Sequence, residues 1–392
     1  MTTFHRKTKE SFPVVAICYD FDKTLSPDDM QAQGFLQAVG YEDVKQFWDK
    51  SNNLAKDHGM DQNLAYMHLM IEEAAGKAVF TAQTLRDYGA KVSLFEGVDT
   101  WFDRIRDYGR EKGVIVEHYI ISSGLKEMIE GTAVAQNGAF EAIYASSFYY
   151  NEKGVAVWPS QVINYTNKTQ FLFRIEKGIL DVNDPAVNDA FKAEDIRVPF
   201  RNMIYIGDSD TDIPCMKLVN SYGGYSIGVY NEATKDKSKV YKMIRDNRIK
   251  HFAPANYAAG HELENLVKAI IDRTALNEKL ESSYYACKRE VEDYDKMQDE
   301  QTKKRTEYIL LLENSNSFAT THEVIAKLSE IKTWPQHDAE KLINIALKNT
   351  QIRYILKDQD VKEFYKGIID GMSVVTEEGK EVKGLIGEMC KT

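Results

Sequence analysis

The stretch Val14–Leu25, VVAICYDFDKTL, constrains this chain more than any other. Residues 14–19 are nearly all apolar and rich in β-branched side chains, the composition of a strand buried on both faces of a parallel sheet. The strand runs directly into Asp20, Phe21 and Asp22. Side chains alternate along a strand with period two, so the two carboxylates leave it on the same face. Burying carboxylates without a cation or hydrogen bonds is strongly unfavourable, so the pattern asks for a metal, a base or a phosphate-transfer site at the strand's carboxyl end. Two plainer readings compete. An acidic surface turn fits poorly after a wholly apolar strand. A calcium loop needs glycine at its sixth position and glutamate at its twelfth, where this chain has Leu25 and Gln31.

A chain of 392 residues is too long for one ordinary core and suggests two or three domains. Its net charge of −10 argues against a nucleic-acid binder held by phosphate contacts. That charge suits a soluble enzyme whose ligand meets a bound cation or a locally positive site. Cys18, Cys215, Cys287 and Cys390 are far apart and form no metal-ligand spacing, which reads as reduced, cytoplasmic thiols. The polar start MTTFHRKTKESFP is no secretory signal, and no stretch approaches the ~20 apolar residues of a membrane span.

From Ser26 to about Gly113 apolar residues recur at helical spacing, as in Phe35, Val39, Val44, Phe47, Trp48, Leu54, Leu64, Met67 and Ile71. This region is expected to hold several helices and no strand. The strand pattern returns at Val114–Ser122 and stops at Ser122-Ser123-Gly124, before a helix in LKEMIEG. Residues 140–150 and 154–158 read as a hairpin turning at Asn151–Gly154. Thr166–Gly178 reads as a helix, followed by a polar stretch, 181–199, expected to be an exposed insertion. Met203–Gly207 and Tyr225–Tyr230 are further strands. Strands alternating with helices predict a doubly wound, Rossmann-like α/β sheet with ligands at the strands' carboxyl ends. From about Asn277 the pattern is helical throughout, and the charged run from Cys287 to Arg305 reads as the solvated face of a long helix.

Three strands therefore end in polar clusters: Asp20/Asp22, Ser122/Ser123 and Asp208/Asp212. In a parallel sheet these ends lie along one edge. Lys168 stands between them in sequence, in the first turn of a helix. Carboxylates to hold a hard cation such as Mg2+, with a hydroxyl, amides and a lysine to neutralise phosphate, are what metal-assisted phosphoryl transfer needs. Taken singly, each has a plain alternative. DSDTD can be an acidic helix cap, Ser122 a helix cap and Lys168 a surface lysine. Their order along the chain is the informative part.

That order resembles the haloacid dehalogenase (HAD) superfamily of phosphohydrolases. Its first motif, DxDx[TV], matches Asp20–Thr24; its second matches Ser122, with Ser122–Leu125 similar to the phosphoserine phosphatase type. Lys168 fits the third, and GDxxxD matches Gly207–Asp212. The resemblance covers about 14–274. The gap from Lys168 to Asp208 is long for the family and leaves Lys177 as a second choice of lysine. The resemblance implies a HAD-like core formed by 1–25 and 114–276, a helical cap at 26–113 and, outside it, an all-helical module at 277–392. It also implies Asp20 as nucleophile, Asp22 as acid and base, and phosphate contacts from Ser122, Ser123 and Lys168. Mg2+ would be held by Asp20, the Asp22 carbonyl, Asp208 and Asp212. In phosphoserine phosphatases an acid near the position of Asp29 contacts the substrate's ammonium; Asp28 and Asp29 can equally start a cap helix.

The expected function is a cytoplasmic Mg2+-dependent phosphatase acting on a small phosphomonoester. Alternatives are a phosphotransferase or mutase of the same mechanism, and a regulatory or scaffold protein acting through its helical module. No nucleic-acid or membrane partner is expected, whereas 277–392 offers a surface for a protein partner or self-association.

Overall fold

The structure, a computed structural model, describes residues 4–297 and 300–387; Cys390 lies outside them. The chain divides into two compact units, residues 1–283 and 284–392.

The first unit is built on a seven-stranded sheet in the order β4-β3-β2-β1-β5-β6-β7. Its strands are β1 (Val14–Tyr19), β2 (Ile115–Leu125), β3 (Ala142–Tyr150), β4 (Ala156–Gln161), β5 (Met203–Gly207), β6 (Tyr225–Tyr230) and β7 (His251–Pro254). All neighbours are parallel except β3 and β4, which form the antiparallel hairpin. The alternation expected of β1 is realised on both faces. Val15, Ile17 and Tyr19 enter one core with Trp101 and Ile105, while Val14, Ala16 and Cys18 enter the other with Phe171 and Cys215. Tyr19 pairs with Ile120 on one side and Ile206 on the other. Asp20, Ser122 and Asp208 therefore leave the sheet along one edge.

Residues 26–113 are helical, as their periodicity predicts, but they do not form one body. Helices Val44–His58, Gln62–Ala74 and Ala82–Gly89 stand over the sheet's carboxyl edge, whereas Val98–Glu111 lies against β2 and buries Val98, Trp101, Phe102 and Ile105. The helix Val98–Glu111 is thus a crossover helix of the sheet. β7 was not legible in the periodicity. The stretch 181–199 is mostly exposed, as expected of an insertion, but it is anchored at both ends. Asp184, Ala186, Arg197 and Val198 are buried. Asp184 pairs with Arg6 at 3.0 Å and Arg197 with Glu117 at 2.7 Å, tying the segment to the chain start and to β2.

Residue 277 falls inside a single helix, Glu262–Met297, so no break in secondary structure marks it. Residues Cys287–Met297 are exposed along it, as expected of a solvated charged face. The second unit packs helices Glu300–Glu313, Phe318–Ser329, Gln336–Lys348, Gln359–Gly371 and Glu377–Gly387 around Leu312, Ile325, Leu328, Leu342, Ile343, Val361 and Tyr365. Asn349 fastens a corner: its Oδ1 accepts from the Gln351 N–H at 2.9 Å, and its Nδ2 donates to the Ser315 carbonyl at 3.0 Å.

Candidate active site

The end of β1 folds into a tight turn because the Phe21 carbonyl accepts from three backbone N–H groups, those of Thr24, Leu25 and Ser26, at 3.2, 2.9 and 3.1 Å. Lys23 takes a left-handed conformation there, φ 57°, which is costly for a residue with a Cβ and occurs beside the acidic pair. The turn separates the two aspartates. Asp20 Oδ1 accepts from the Phe21 N–H at 2.8 Å, and Oδ2 lies 3.2 Å from Lys168 Nζ. Asp22 turns toward the cap, where its Oδ1 accepts from the Met30 N–H at 2.8 Å.

β5 ends in Gly207, and that residue type has a local reason. A Cβ there would sit 2.5 Å from Asp212 Oδ2, so only glycine lets the aspartate fold back over the strand end. Asp212 accepts from Lys168 Nζ at 2.8 Å, from the Tyr205 hydroxyl at 2.9 Å and from the Ser209 N–H at 3.1 Å. The helix-cap reading of DSDTD is realised here too, since Ser209 and Asp212 form a reciprocal capping box. One carboxylate oxygen from each of Asp20, Asp208 and Asp212 lies within 4.8 Å of the others. Asp208 is the outermost and meets Lys239 at 3.2 Å.

At the end of β2, Ser122 is buried and its Oγ accepts from the Gly124 N–H at 3.1 Å. It caps no helix; Leu125 stands at the N-cap of the helix that follows. Ser123 Oγ is shielded and has no partner among the described residues, while its carbonyl accepts from the Tyr66 hydroxyl of the cap at 2.7 Å. Lys168, wholly buried, lies between Asp20 and Asp212. Lys177 is elsewhere, donating to the Val187 and Asp189 carbonyls at 2.7 and 2.8 Å. Asp29 occupies the N-cap position of the short 3-10 turn Met30–Ala32 but makes no capping bond; both its oxygens meet Lys23 Nζ, at 2.8 and 2.9 Å.

One cavity of about 210 Å³ has Asp20, Asp22, Ser122, Ser123 and Asp208 below and Gln31, Trp48, Asn63 and Tyr66 of the cap above; Lys168 and Asp212 are wholly buried and not part of its lining. The cap residues and Lys239 carry no signal in the sequence. They are single polar or aromatic residues on ordinary helices or, for Gln31, a short 3-10 turn, and only the fold brings them to the strand ends.

The electrostatics follow from the crowding. Burial, then the Asp212 carboxylate, push Asp20 up to about 7 against the pull of Lys168. Burial raises Asp208 to about 6, with Lys239 holding it back. Burial and the nearby charges of Asp29 and Asp20 raise Asp22 well above the usual carboxylate range. Lys168 loses solvation, yet Asp20 and Asp212 hold it above the ordinary lysine value. Three converging carboxylates, all offering hard oxygen donors, fit a small divalent cation such as Mg2+.

A protein of Borreliella burgdorferi with no described function is 27% identical over 286 residues, spanning 65% of this chain and 95% of the relative. Among solved structures, a HAD family hydrolase from Salmonella enterica serovar Typhi aligns with 67% of this chain and 73% of its own, at 17% identity and a TM-score of 0.43. A probable phosphoserine phosphatase from Vibrio cholerae aligns with 68% and 67%, at 11% identity and a TM-score of 0.43. The model of the haloacid dehalogenase-like hydrolase family matches residues 17–217, just over half of the 392. This chain belongs to the haloacid dehalogenase-like hydrolase family.

Proposed function

We propose that the protein is a Mg2+-dependent phosphatase that hydrolyses a small phosphomonoester through an aspartyl-phosphate on Asp20. The observation that carries this reading is the division of labour between the two aspartates of β1. Asp20 faces the carboxylate cluster and Lys168, whereas Asp22 lies outside that cluster and turns toward the cap, where its Oδ1 accepts from the Met30 N–H.

Asp20 Oδ2 attacks phosphorus as the bond to the leaving oxygen breaks, and Asp22 gives its proton to that oxygen. In the second half Asp22, now a carboxylate, takes a proton from the water that attacks the phosphoryl group and restores Asp20. The Ser122 and Ser123 hydroxyls on the cavity wall are the donors for the phosphoryl oxygens, while Lys168, buried against Asp20 and Asp212, offsets the charge of those carboxylates. Asp20, Asp208, Asp212 and the Asp22 carbonyl would hold Mg2+, which supplies charge neutralisation between the carboxylates and a phosphate dianion. With Cys18 and Cys215 buried and unpaired, the reading also places the enzyme in the reducing cytoplasm. No helix among the described residues is long and apolar enough to cross a membrane.

The test is phosphate release from a panel of small phosphomonoesters with and without Mg2+. Turnover should need the metal and vanish in chelator. Full activity in excess EDTA, after carried-over metal is removed, would contradict the assignment.

A further inference from the structure

The cap side of the cavity carries polar atoms that the proposed phosphoryl chemistry does not use. Gln31 is 2% exposed, and its Oε1 finds no partner among the described residues. Trp48 Nε1 is likewise shielded and unpartnered, and both residues line the cavity. A buried polar atom left unpaired costs about 1–3 kcal/mol, so two on one wall, an acceptor and a donor, call for a ligand that supplies the complements.

Charge and size narrow that ligand. Asp29, the carboxylate at this wall, already has both oxygens on Lys23, at 2.8 and 2.9 Å. A substrate ammonium would have to share Asp29 with the like-charged Lys23, and a substrate carboxylate would have to share Lys23 with Asp29. The wall therefore presents hydrogen-bonding groups with no uncompensated charge. The cavity measures about 210 Å³ and must also admit the phosphoryl group, which favours a short alcohol among the groups that can reach its walls.

Building on the phosphatase reading, we propose that the leaving group is a short, uncharged polyol, with one hydroxyl donating to Gln31 Oε1 and another accepting from Trp48 Nε1. Gln31 and Trp48 are then specificity-determining residues for the alcohol. Where phosphoserine phosphatases have an acid that contacts the substrate's ammonium, Asp29 here pairs internally with Lys23.

The experiment compares kcat/KM of the full-length protein for glycerol phosphate, O-phosphoserine and acetyl phosphate; the last has no hydroxyl to reach the cap. The unmutated protein should prefer glycerol phosphate to O-phosphoserine by about tenfold or more, the value of one satisfied buried hydrogen bond. Gln31→Met and Trp48→Phe should each lower the ratio of glycerol phosphate to acetyl phosphate turnover by about tenfold, chiefly through KM for the polyol ester. Equal or faster hydrolysis of O-phosphoserine by the unmutated protein overturns the proposal without any variant having to fold. An unchanged ratio in variants with the parent's circular dichroism does so as well. Failure to release phosphate from any of the three compounds in Mg2+ would instead remove the phosphatase reading itself, and the proposal with it.

Discussion

Lys168 is wholly buried and bridges Asp20 at 3.2 Å and Asp212 at 2.8 Å. Removing one member of a buried ionic group strands the others, a loss of about 3–5 kcal/mol in comparable cases. Lys168→Met should therefore destabilise the protein strongly in chelator and distinctly less in millimolar Mg2+, because the cation offsets the same repulsion that the lysine does. Chemical denaturation with and without Mg2+ reads this directly. Equal loss in both conditions would mean that no cation enters the carboxylate cluster. At this scale the sequence was informative where chemistry and backbone coincide: an apolar strand that ends in aspartate must have a reason to do so. It was silent on Lys239, Gln31 and Trp48, whose neighbours in sequence are those of any surface helix or turn. Lys168 and Lys177 stand at opposite ends of the helix Thr169–Lys177, and only the fold shows which end meets the carboxylates.

Between elements, the cap is held to the core by close backbone contact as much as by side chains. Helices Ala82–Gly89 and Lys126–Gly131 meet at two glycines. A Cβ on Gly89 would lie 1.9 Å from the Met128 carbonyl oxygen, and one on Gly131 would lie 2.1 Å from that of Arg86. Backbone cannot yield as a flexible side chain can. Gly131→Val should cost about 1–3 kcal/mol by overpacking and should shift the cap helix away from the strand ends. A thermal melt together with KM for a small phosphomonoester checks both effects; unaltered values for both would show that the contact does not position the cap. The helical character of 26–113 was legible from its 3.6-residue period, but periodicity shows that a face is buried and not against what. Val98–Glu111 accordingly looked like one more cap helix, although its apolar face covers the sheet. β7 spans only His251–Pro254 and ends on a proline, too short to show alternation. The stretch 181–199 is polar and mostly exposed, as it reads. Its buried charges, Asp184 and Arg197, are paired with residues distant in sequence.

Over the whole molecule, every residue assigned a chemical role lies in the first unit, within the span shared with the family. The second unit is a helical body with its own core, and its helices were legible because each carries a regular apolar face. The account depends most on the claim that Asp20 takes the phosphoryl group while Asp22 handles the proton. An aryl phosphate whose phenol leaves without help isolates the two roles. Asp22→Asn should still let Asp20 be phosphorylated, but it lacks the base for the second half, a contribution of about 10²–10⁴-fold. The decisive measurement mixes each full-length variant with such an ester in Mg2+, quenches in acid and weighs the protein and its peptides. The Asp22→Asn protein should release a burst of phenol and gain the mass of one phosphoryl group on the peptide containing Asp20, whereas Asp20→Asn should show neither. A phosphorylated Asp20→Asn protein, or steady turnover by Asp22→Asn with no adduct, would contradict the account.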